Sequence, residues 1–356
     1  MNTKIQELLD LAVVNKASDL HLMMGMTPKI RVNGELAEVS SFGALSDHLI
    51  EEMIFSIISE EQKQKVFLER ELDFSLSTTK SRFRGNLYFQ KGKIACALRI
   101  VNSEIPSFED LGFPDLFRSF ANYKQGFVLV TGPTGHGKST TVASILDDIN
   151  SKKNYHIVTV EDPIEYVIKP KKSIISQREI GFDTNNFTNA IRSCLRQDPN
   201  VVFLGEMRDL ETISAALTIA ETGHLVFSVL HTNSAAQTID RIVDIFPSSS
   251  KEQVKTQLAS VITAIVSQRL VPDLNGGRVV AMEILMATPA VKNVIREGKT
   301  FMIDNIIQTS SDMGMVSLDM SLARLVKEGK ISEETALSYC VNPAELQTTL
   351  RKIKIL

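Results

Sequence analysis

A loop that wraps a triphosphate needs backbone N–H groups turned inward, one mobile cation for the outer phosphates and a hydroxyl for a divalent ion. The stretch Gly132-Pro-Thr-Gly-His-Gly-Lys-Ser139 meets these demands at the spacing G-x-x-x-x-G-K-[ST]. Gly132, Gly135 and Gly137 give the backbone its freedom. Lys138 would reach the β- and γ-phosphates, and Ser139 would place its hydroxyl on Mg²⁺. The apolar run Phe127–Thr131 predicts a buried strand before the loop, and a helix opening near Lys138 would turn its positive dipole end to the phosphates. The candidate nucleotide-binding set is Gly132, Pro133, Thr134, Gly135, His136, Gly137, Lys138, Ser139 and Thr140, with His136 filling a variable loop position. The cofactors this chemistry requires are ATP and Mg²⁺.

Hydrolysis also needs carboxylates, one to position the metal and one to orient and deprotonate water. Val158-Thr-Val-Glu-Asp-Pro163 ends an apolar run in Glu161 and Asp162, and Val201-Val-Phe-Leu-Gly-Glu206 carries an acid where a Walker B group belongs. The usual Walker B residue is an Asp directly after the run, whereas here Gly205 intervenes and the acid is the longer Glu206. Glu206 joins Ser139 as a candidate metal ligand. For either glutamate, the alternative is a helix-capping or salt-bridged acid. His231 sits at the exit of the buried run Leu225–Leu230 and could sense a γ-phosphate, while His224 sits at its start. Taken singly, each is more often a structural histidine.

These residues need a sheet that brings its strand ends together. From Gly126 onward, apolar runs alternate with helical patterns: strands at Phe127–Thr131, His156–Val160, Val201–Leu204 and Leu225–Leu230, and helices at Lys138–Asn150, 187–196 and 209–221. Strands apolar throughout and separated by helices predict a mainly parallel sheet covered on both faces, with ligands at the carboxyl ends. Lys255–Leu270 shows one apolar stripe at helical spacing, Gly277–Met282 predicts a further strand, and the tail from 288 is helical. The organisation expected is a small α+β domain over 1–100, a connection over 101–125 able to act as a hinge, an ATPase core over 126–287 and a helical region over 288–356.

In the first part, helices are expected near 4–15, 46–57 and 60–69, and strands at Asp19–Met23, Lys29–Val32, Glu35–Val39 and 72–76. Asn33-Gly34 is a two-residue hairpin signal. His21 is read as structural. The hairpin 81–100 interleaves Arg82, Arg84 and Arg99 with Phe83, Tyr88 and Phe89. It has three readings: a base-stacking sheet, ordinary alternation with arginines on the wet face, or arginines that reach a neighbouring subunit's phosphates.

The composition, 43 % hydrophobic and 23 % charged over 356 residues, is globular and long enough for two domains. A net charge of −3 argues against a sequence-independent grip on nucleic acid, and none is expected as a partner. Cys96, Cys194 and Cys340 lie far apart and read as thiols in a reducing compartment. No apolar run approaches the roughly 18 residues of a spanning helix. The start lacks a signal peptide's apolar core. The expectation is a soluble, cytoplasmic chain.

The ordered set Gly132–Ser139, Glu161-Asp-Pro-Ile-Glu-Tyr166, Gly205-Glu-Met-Arg-Asp209 and Glu221-Thr-Gly-His224 with His231-Thr-Asn233 resembles the secretion ATPase superfamily of type II and type IV systems, and within it the retraction motors of type IV pili. The resemblance runs from Ala17-Ser-Asp-Leu-His-Leu22 to Asn342-Pro-Ala-Glu-Leu346. It implies an α/β chain with a PAS-like N-terminal domain, a RecA-like P-loop core and a helical tail. It also implies Glu161 as the catalytic acid, Glu206 as the Walker B acid, His224 and His231 as a histidine box, and Arg82, Arg84 and Arg99 as arginines near a nucleotide. The partners it implies are five further copies in a hexameric ring and an inner-membrane pilus platform protein, with the motor peripheral at the cytoplasmic face. Ala290-Val-Lys-Asn-Val-Ile-Arg-Glu297 is similar to the retraction motif Ala-Ile-Arg-Asn-Leu-Ile-Arg-Glu, with Lys292 in place of an Arg. Assembly and secretion relatives carry a longer N-terminal region and a Cys₄ zinc module, which three scattered cysteines cannot build. Other readings are an accessory paralogue, a pilus assembly ATPase, a nucleic-acid translocase on the same loop, and a metabolic phosphotransferase.

Overall fold

Apolar periodicity of both kinds is realised in the structure, a computed structural model that describes residues 2–32, 34–101 and 104–355. The chain divides into two compact units, Met1–Glu104 with Glu165–Val167, and Ile105–Ile164 with Ile168–Leu356.

The first unit holds helices α1 (Thr3–Val14), α2 (Asp47–Phe55) and α3 (Glu60–Glu69). Its strands are β1 (Asp19–Met23), β2 (Lys29–Val32), β3 (Glu35–Glu38), β4 (Glu71–Ser77), β5 (Arg82–Gln90) and β6 (Lys93–Val101), in the order β3-β2-β1-β6-β5-β4. Every pairing is antiparallel. Val32 lies opposite Glu35, the register of a two-residue hairpin, although Asn33, half of the expected turn, lies outside the described residues. One sheet face carries Leu20, Leu22, Phe83, Leu87, Cys96 and Leu98 into a core completed by Ile5, Leu8 and Leu9 of α1.

Alternation places Arg84 and Arg99 directly opposite one another on the other face. The base-stacking reading fails here, because Phe83 is fully buried and Phe89 packs against the same core. Of those three aromatics, Tyr88 alone shares the arginine face, which is no platform for successive bases. Arg99 is fixed by its Nε, which donates to Asp19 at 2.8 Å, while most of its side chain stays exposed.

The expected connection over 101–125 is mostly no connection. From Ile105 it belongs to the second unit, where α4 (Phe108–Leu111) and α5 (Leu116–Ser119) bury Phe108, Phe117 and Phe120. Phe113 and Phe117 stack at 4.5 Å between ring centroids. Rings of this size buried in a shared core remove the freedom a hinge needs.

The second unit is built on β7 (Gly126–Thr131), β8 (His156–Glu161), β9 (Ile174–Glu179), β10 (Val201–Glu206), β11 (Leu225–Leu230), β12 (Ile262–Pro272) and β13 (Arg278–Met286), in the order β13-β12-β7-β11-β10-β8-β9. All pairings are parallel except β12 with β13. Phe127 and Leu129 point into one core and Val128 and Val130 into the other, so the sheet is buried on both faces. Helices α6 (Lys138–Lys152), α7 (Phe187–Cys194), α8 (Leu210–Glu221), α9 (Ala235–Asp244) and α10 (Lys251–Val261) cover it.

The stripe at 255–270 is not one helix. α10 ends at Val261 and β12 begins at Ile262 with no loop between them. Spacing favours a helix throughout, but the β-branched run Ile262-Thr-Ala-Ile-Val fits a pleated position beside β7, and tertiary pairing prevails. The tail forms α11 (Pro289–Glu297), α12 (Ile303–Thr309), α13 (Leu318–Lys327), α14 (Glu333–Tyr339) and α15 (Pro343–Ile355). It is not a separate body, since Val291, Ile295, Ile303 and Ile307 join the main core and Leu322 and Ala323 pack with Val271 and Ala281 of β12 and β13.

Candidate functional site: an ATPase centre at the strand ends

Because β7, β11, β10 and β8 are neighbours in that order and run parallel, their carboxyl ends share one edge. The phosphate loop follows β7, His231 follows β11, Glu206 ends β10 and Glu161 ends β8. Adjacent strands lie about 4.8 Å apart, so β7 and β8 are separated by roughly 14 Å, a span that suits a triphosphate and its water.

The loop lies tight against β12. A Cβ on Gly132 would sit 2.3 Å from the Gln268 carbonyl oxygen, so only glycine fits. Gly137 caps α6 and, having no side chain, gives its first-turn amides no side-chain hydrogen bond of its own. Lys138, 6 % exposed, folds back to donate to the carbonyls of Gly132 and Pro133, both at 2.8 Å.

His231 connects the loop to the acid. Its Nδ1 lies 3.3 Å from Lys138 Nζ and 3.3 Å from Thr134 Oγ1, and its Nε2 lies 3.0 Å from Glu206 Oε1. Acceptance by Nδ1 puts the ring proton on Nε2, aimed at Glu206. Arg208 holds the other oxygen of Glu206 at 2.8 Å. Burial alone would raise the Glu206 carboxyl, but the hydrogen bonds of Arg208 and His231, with the Arg208 charge, hold it below its usual value. The acid is therefore an anion at neutral pH.

Gly205, the departure from the usual Walker B spacing, has a physical reason. The β10–β11 register slips between Leu204 and Glu206, a bulge, and a Cβ on Gly205 would meet Glu161 Cα and Val160 O at 3.3 Å. The missing side chain lets the ends of β10 and β8 approach. Glu161 itself is buried, and its Oε1 accepts from Thr159 Oγ1 at 2.6 Å and Gln177 Nε2 at 3.2 Å. Of the alternatives weighed for the acids, the capping role falls to Asp209, which accepts from Thr212 N at the start of α8, while Glu206 is salt-bridged to Arg208.

The structure does not bring every candidate here. His224 stands at the opposite end of β11, where its Nδ1 lies 3.0 Å from Thr222 Oγ1 and 3.2 Å from the Ile219 carbonyl, so within one chain it finishes α8. Arg82, Arg84 and Arg99 belong to the first unit. Ser139 and Thr140 occupy the first turn of α6. Arg208, Thr159 and Gln177 were given no role by sequence reasoning. Arg208 lies inside a recognisable motif, whereas Thr159 and Gln177 carry no local signal.

Just past His231, Glu283 of β13 accepts from Ala235 N, the first amide of α9, at 2.7 Å. Burial raises its carboxyl to about 7. Its ordinary value is 4.5. The folded state thus resists ionisation, at a cost absent below pH ~4.5, growing up to ~7 and constant above, at most about 3 kcal/mol. Glu283→Gln, which keeps the acceptor, is expected to raise the urea midpoint at pH 8 and to gain much less at pH 5. Equal gains at both pH values would disprove the ionisation cost.

The family described as Type II/IV secretion system protein matches residues 1–330. The chain is similar to the type IV pilus retraction ATPase PilT of Pseudomonas aeruginosa, 45% identical over 334 residues covering 93% of this chain and 96% of that one. It is also similar to a twitching motility protein of Neisseria gonorrhoeae, 45% identical over 312 residues covering 87% of this chain and 83% of that one. A crystal structure of the pilus retraction motor PilT with bound ADP superimposes with a TM-score of 0.89 at 46% identity, covering 98% of this chain and 100% of that one. With a phosphate-loop motif and a RecA-like sheet in that setting, the chain belongs to the type II/IV secretion system family and is an ATPase.

Proposed function

We propose that the chain is the motor that withdraws type IV pili, a ring of identical subunits that converts ATP hydrolysis into pilus disassembly and twitching. The observation that carries this reading is the near end-to-end identity to a retraction ATPase. Two local features agree with it. Residues 273–277 close a tight turn between β12 and β13, with Asp273 N donating to Gly277 O, which leaves no space for a zinc module. Helix α11 carries the retraction-like motif, and Lys292, in place of Arg, donates to the Ser260 carbonyl at 3.1 Å, a contact that one ammonium satisfies.

In this reading the residues of 132–140 hold the phosphates of ATP, and the cavity of about 330 Å³ beside Gly137, Thr140 and Arg278 receives the nucleoside. Ser139 and Glu206 are hard oxygen donors of the kind Mg²⁺ takes alongside phosphate oxygens. When bound, that ion neutralises charge between the β- and γ-phosphates. His231 donates from Nε2 and reports the γ-phosphate to Glu206, and Glu161 orients and deprotonates the attacking water. Arg84 and Arg99 project toward a neighbouring subunit's nucleotide. The motor docks on a platform protein at the cytoplasmic face of the inner membrane, and among the described residues no helix is long and apolar enough to cross one.

Deletion of the gene is expected to leave surface pili intact or more numerous while abolishing twitching and pulling force. Loss of pili on deletion, restored in trans, would identify an assembly motor. Unchanged twitching would identify an accessory paralogue.

A further inference from the structure

The phosphate loop is braced from outside as well as by Lys138. Strand β12 makes five contacts with the loop and the residues that flank it. Gln268, 2 % exposed, donates from Nε2 to the His136 carbonyl at 2.6 Å and accepts at Oε1 from Thr141 Oγ1 at 2.7 Å. The backbone N–H of Leu270 donates to His136 Nδ1 at 2.9 Å. Thr131 Oγ1 donates to Ser267 Oγ at 2.9 Å. The Gln268 carbonyl occupies the space a side chain at 132 would need.

His136 is thereby gripped twice, by its carbonyl and by its ring, although it fills a position where the motif specifies no residue. Its ring must be neutral and protonated on Nε2 to accept from Leu270, and burial, with Lys138 nearby, lowers its pKa in that direction. A peptide plane held by its carbonyl cannot rotate, so the N–H on its other end, that of Gly137, keeps its direction. That N–H opens α6 and is among those a phosphate meets. Thr141 Oγ1 also lies 3.2 Å from the Gly137 carbonyl, the next peptide plane, and so ties that plane to the Gln268 amide.

We infer that Gln268 is a positioning residue for nucleotide binding: its amide bridges His136 and Thr141 and holds the loop in the phosphate-receiving shape before ATP arrives. Pre-organisation of this kind lowers the ordering cost of binding and leaves chemistry untouched. Gln268→Leu removes both bonds at similar volume, Gln268→Glu keeps the acceptor but loses the donor to His136, and Thr141→Val removes the second partner together with the 3.2 Å contact of Thr141 Oγ1 to the Gly137 carbonyl. The inference rests on the loop being the ATP site, so Lys138→Ala serves as the control for that reading.

Equilibrium titration of the full-length chain with fluorescent ATP and ADP analogues, together with steady-state hydrolysis, tests it. Gln268→Leu and Gln268→Glu are expected to weaken both nucleotides and raise KM by about 10-fold, and Thr141→Val by about 3-fold. In all three, kcat stays near that of the parent, while the nucleotide-free melting temperature, which Gln268→Leu and Gln268→Glu lower by leaving buried polar groups unpaired, is followed alongside. If Gln268→Leu fails to fold, Gln268→Glu and Thr141→Val, which keep polarity or volume, carry the comparison. Affinity within twofold of the parent in the variants that fold, while Lys138→Ala loses binding, would overturn the positioning role. A fall in kcat with unchanged KM would overturn it as well. Unchanged binding in Lys138→Ala would instead overturn the site itself.

Discussion

Glu161→Gln is expected to bind ATP almost as tightly as the parent and to turn it over about 10²- to 10⁴-fold more slowly, the usual cost of a lost general base. The substitution suits its purpose because the amide keeps the oxygen that Thr159 and Gln177 address. Fold and binding should therefore persist, and the loss should fall on kcat. Single-turnover hydrolysis with pre-bound nucleotide separates the two, and a rate within a few-fold of the parent would remove Glu161 from the chemistry. Glu206→Gln should behave differently. It replaces an anion that Arg208 and His231 stabilise, so its defect should depend on Mg²⁺ concentration, whereas that of Glu161→Gln should not.

The second large effect concerns the arginines. A cationic finger supplied by another subunit accounts for about 10³- to 10⁵-fold in turnover where it has been dissected. Arg84→Ala with Arg99→Ala is accordingly expected to cost at least about 10³-fold. Arg99 also pairs with buried Asp19, so the double variant's melting temperature must be followed alongside activity. A chain carrying Lys138→Ala has intact arginines and a defective loop, while the arginine variant has the reverse. Mixed rings would pair an intact loop with an intact finger at some boundaries, and activity should return on mixing. Co-assembled rings that stay inactive would show that the arginines act elsewhere.

The site divides according to how its residues are specified. Gly132–Ser139, Glu161, Glu206 and His231 were legible because each follows an apolar run, and a buried parallel strand delivers whatever follows it to the same sheet edge. The exposure of Arg84 and Arg99 follows from period-two alternation in β5 and β6, whereas Arg82 is half-buried. Besides α4, α5 and β12, the elements that escaped include the polar edge strand β9 and helix α9. For β9, Ile-Ile-Ser-Gln-Arg-Glu has no clear alternation. For α9, Ser234 as N-cap and the buried Ile239 and Ile242 were a usable signal.

By itself, then, the sequence determined the chemistry and the sheet that presents it, because short-range spacing encodes strand, loop and helix start. Tertiary structure alone decided three matters. It split 255–270 into a helix and a strand, since pairing with β7 outweighs a helical stripe. It drew the stretch after Ile105 into the second core, since buried phenylalanines gain more from packing than a hinge gains from freedom. It also placed Gln268 against His136 and Thr141, more than a hundred residues away in sequence, where no local pattern reaches and only the neighbouring of β12 and β7 makes the contact.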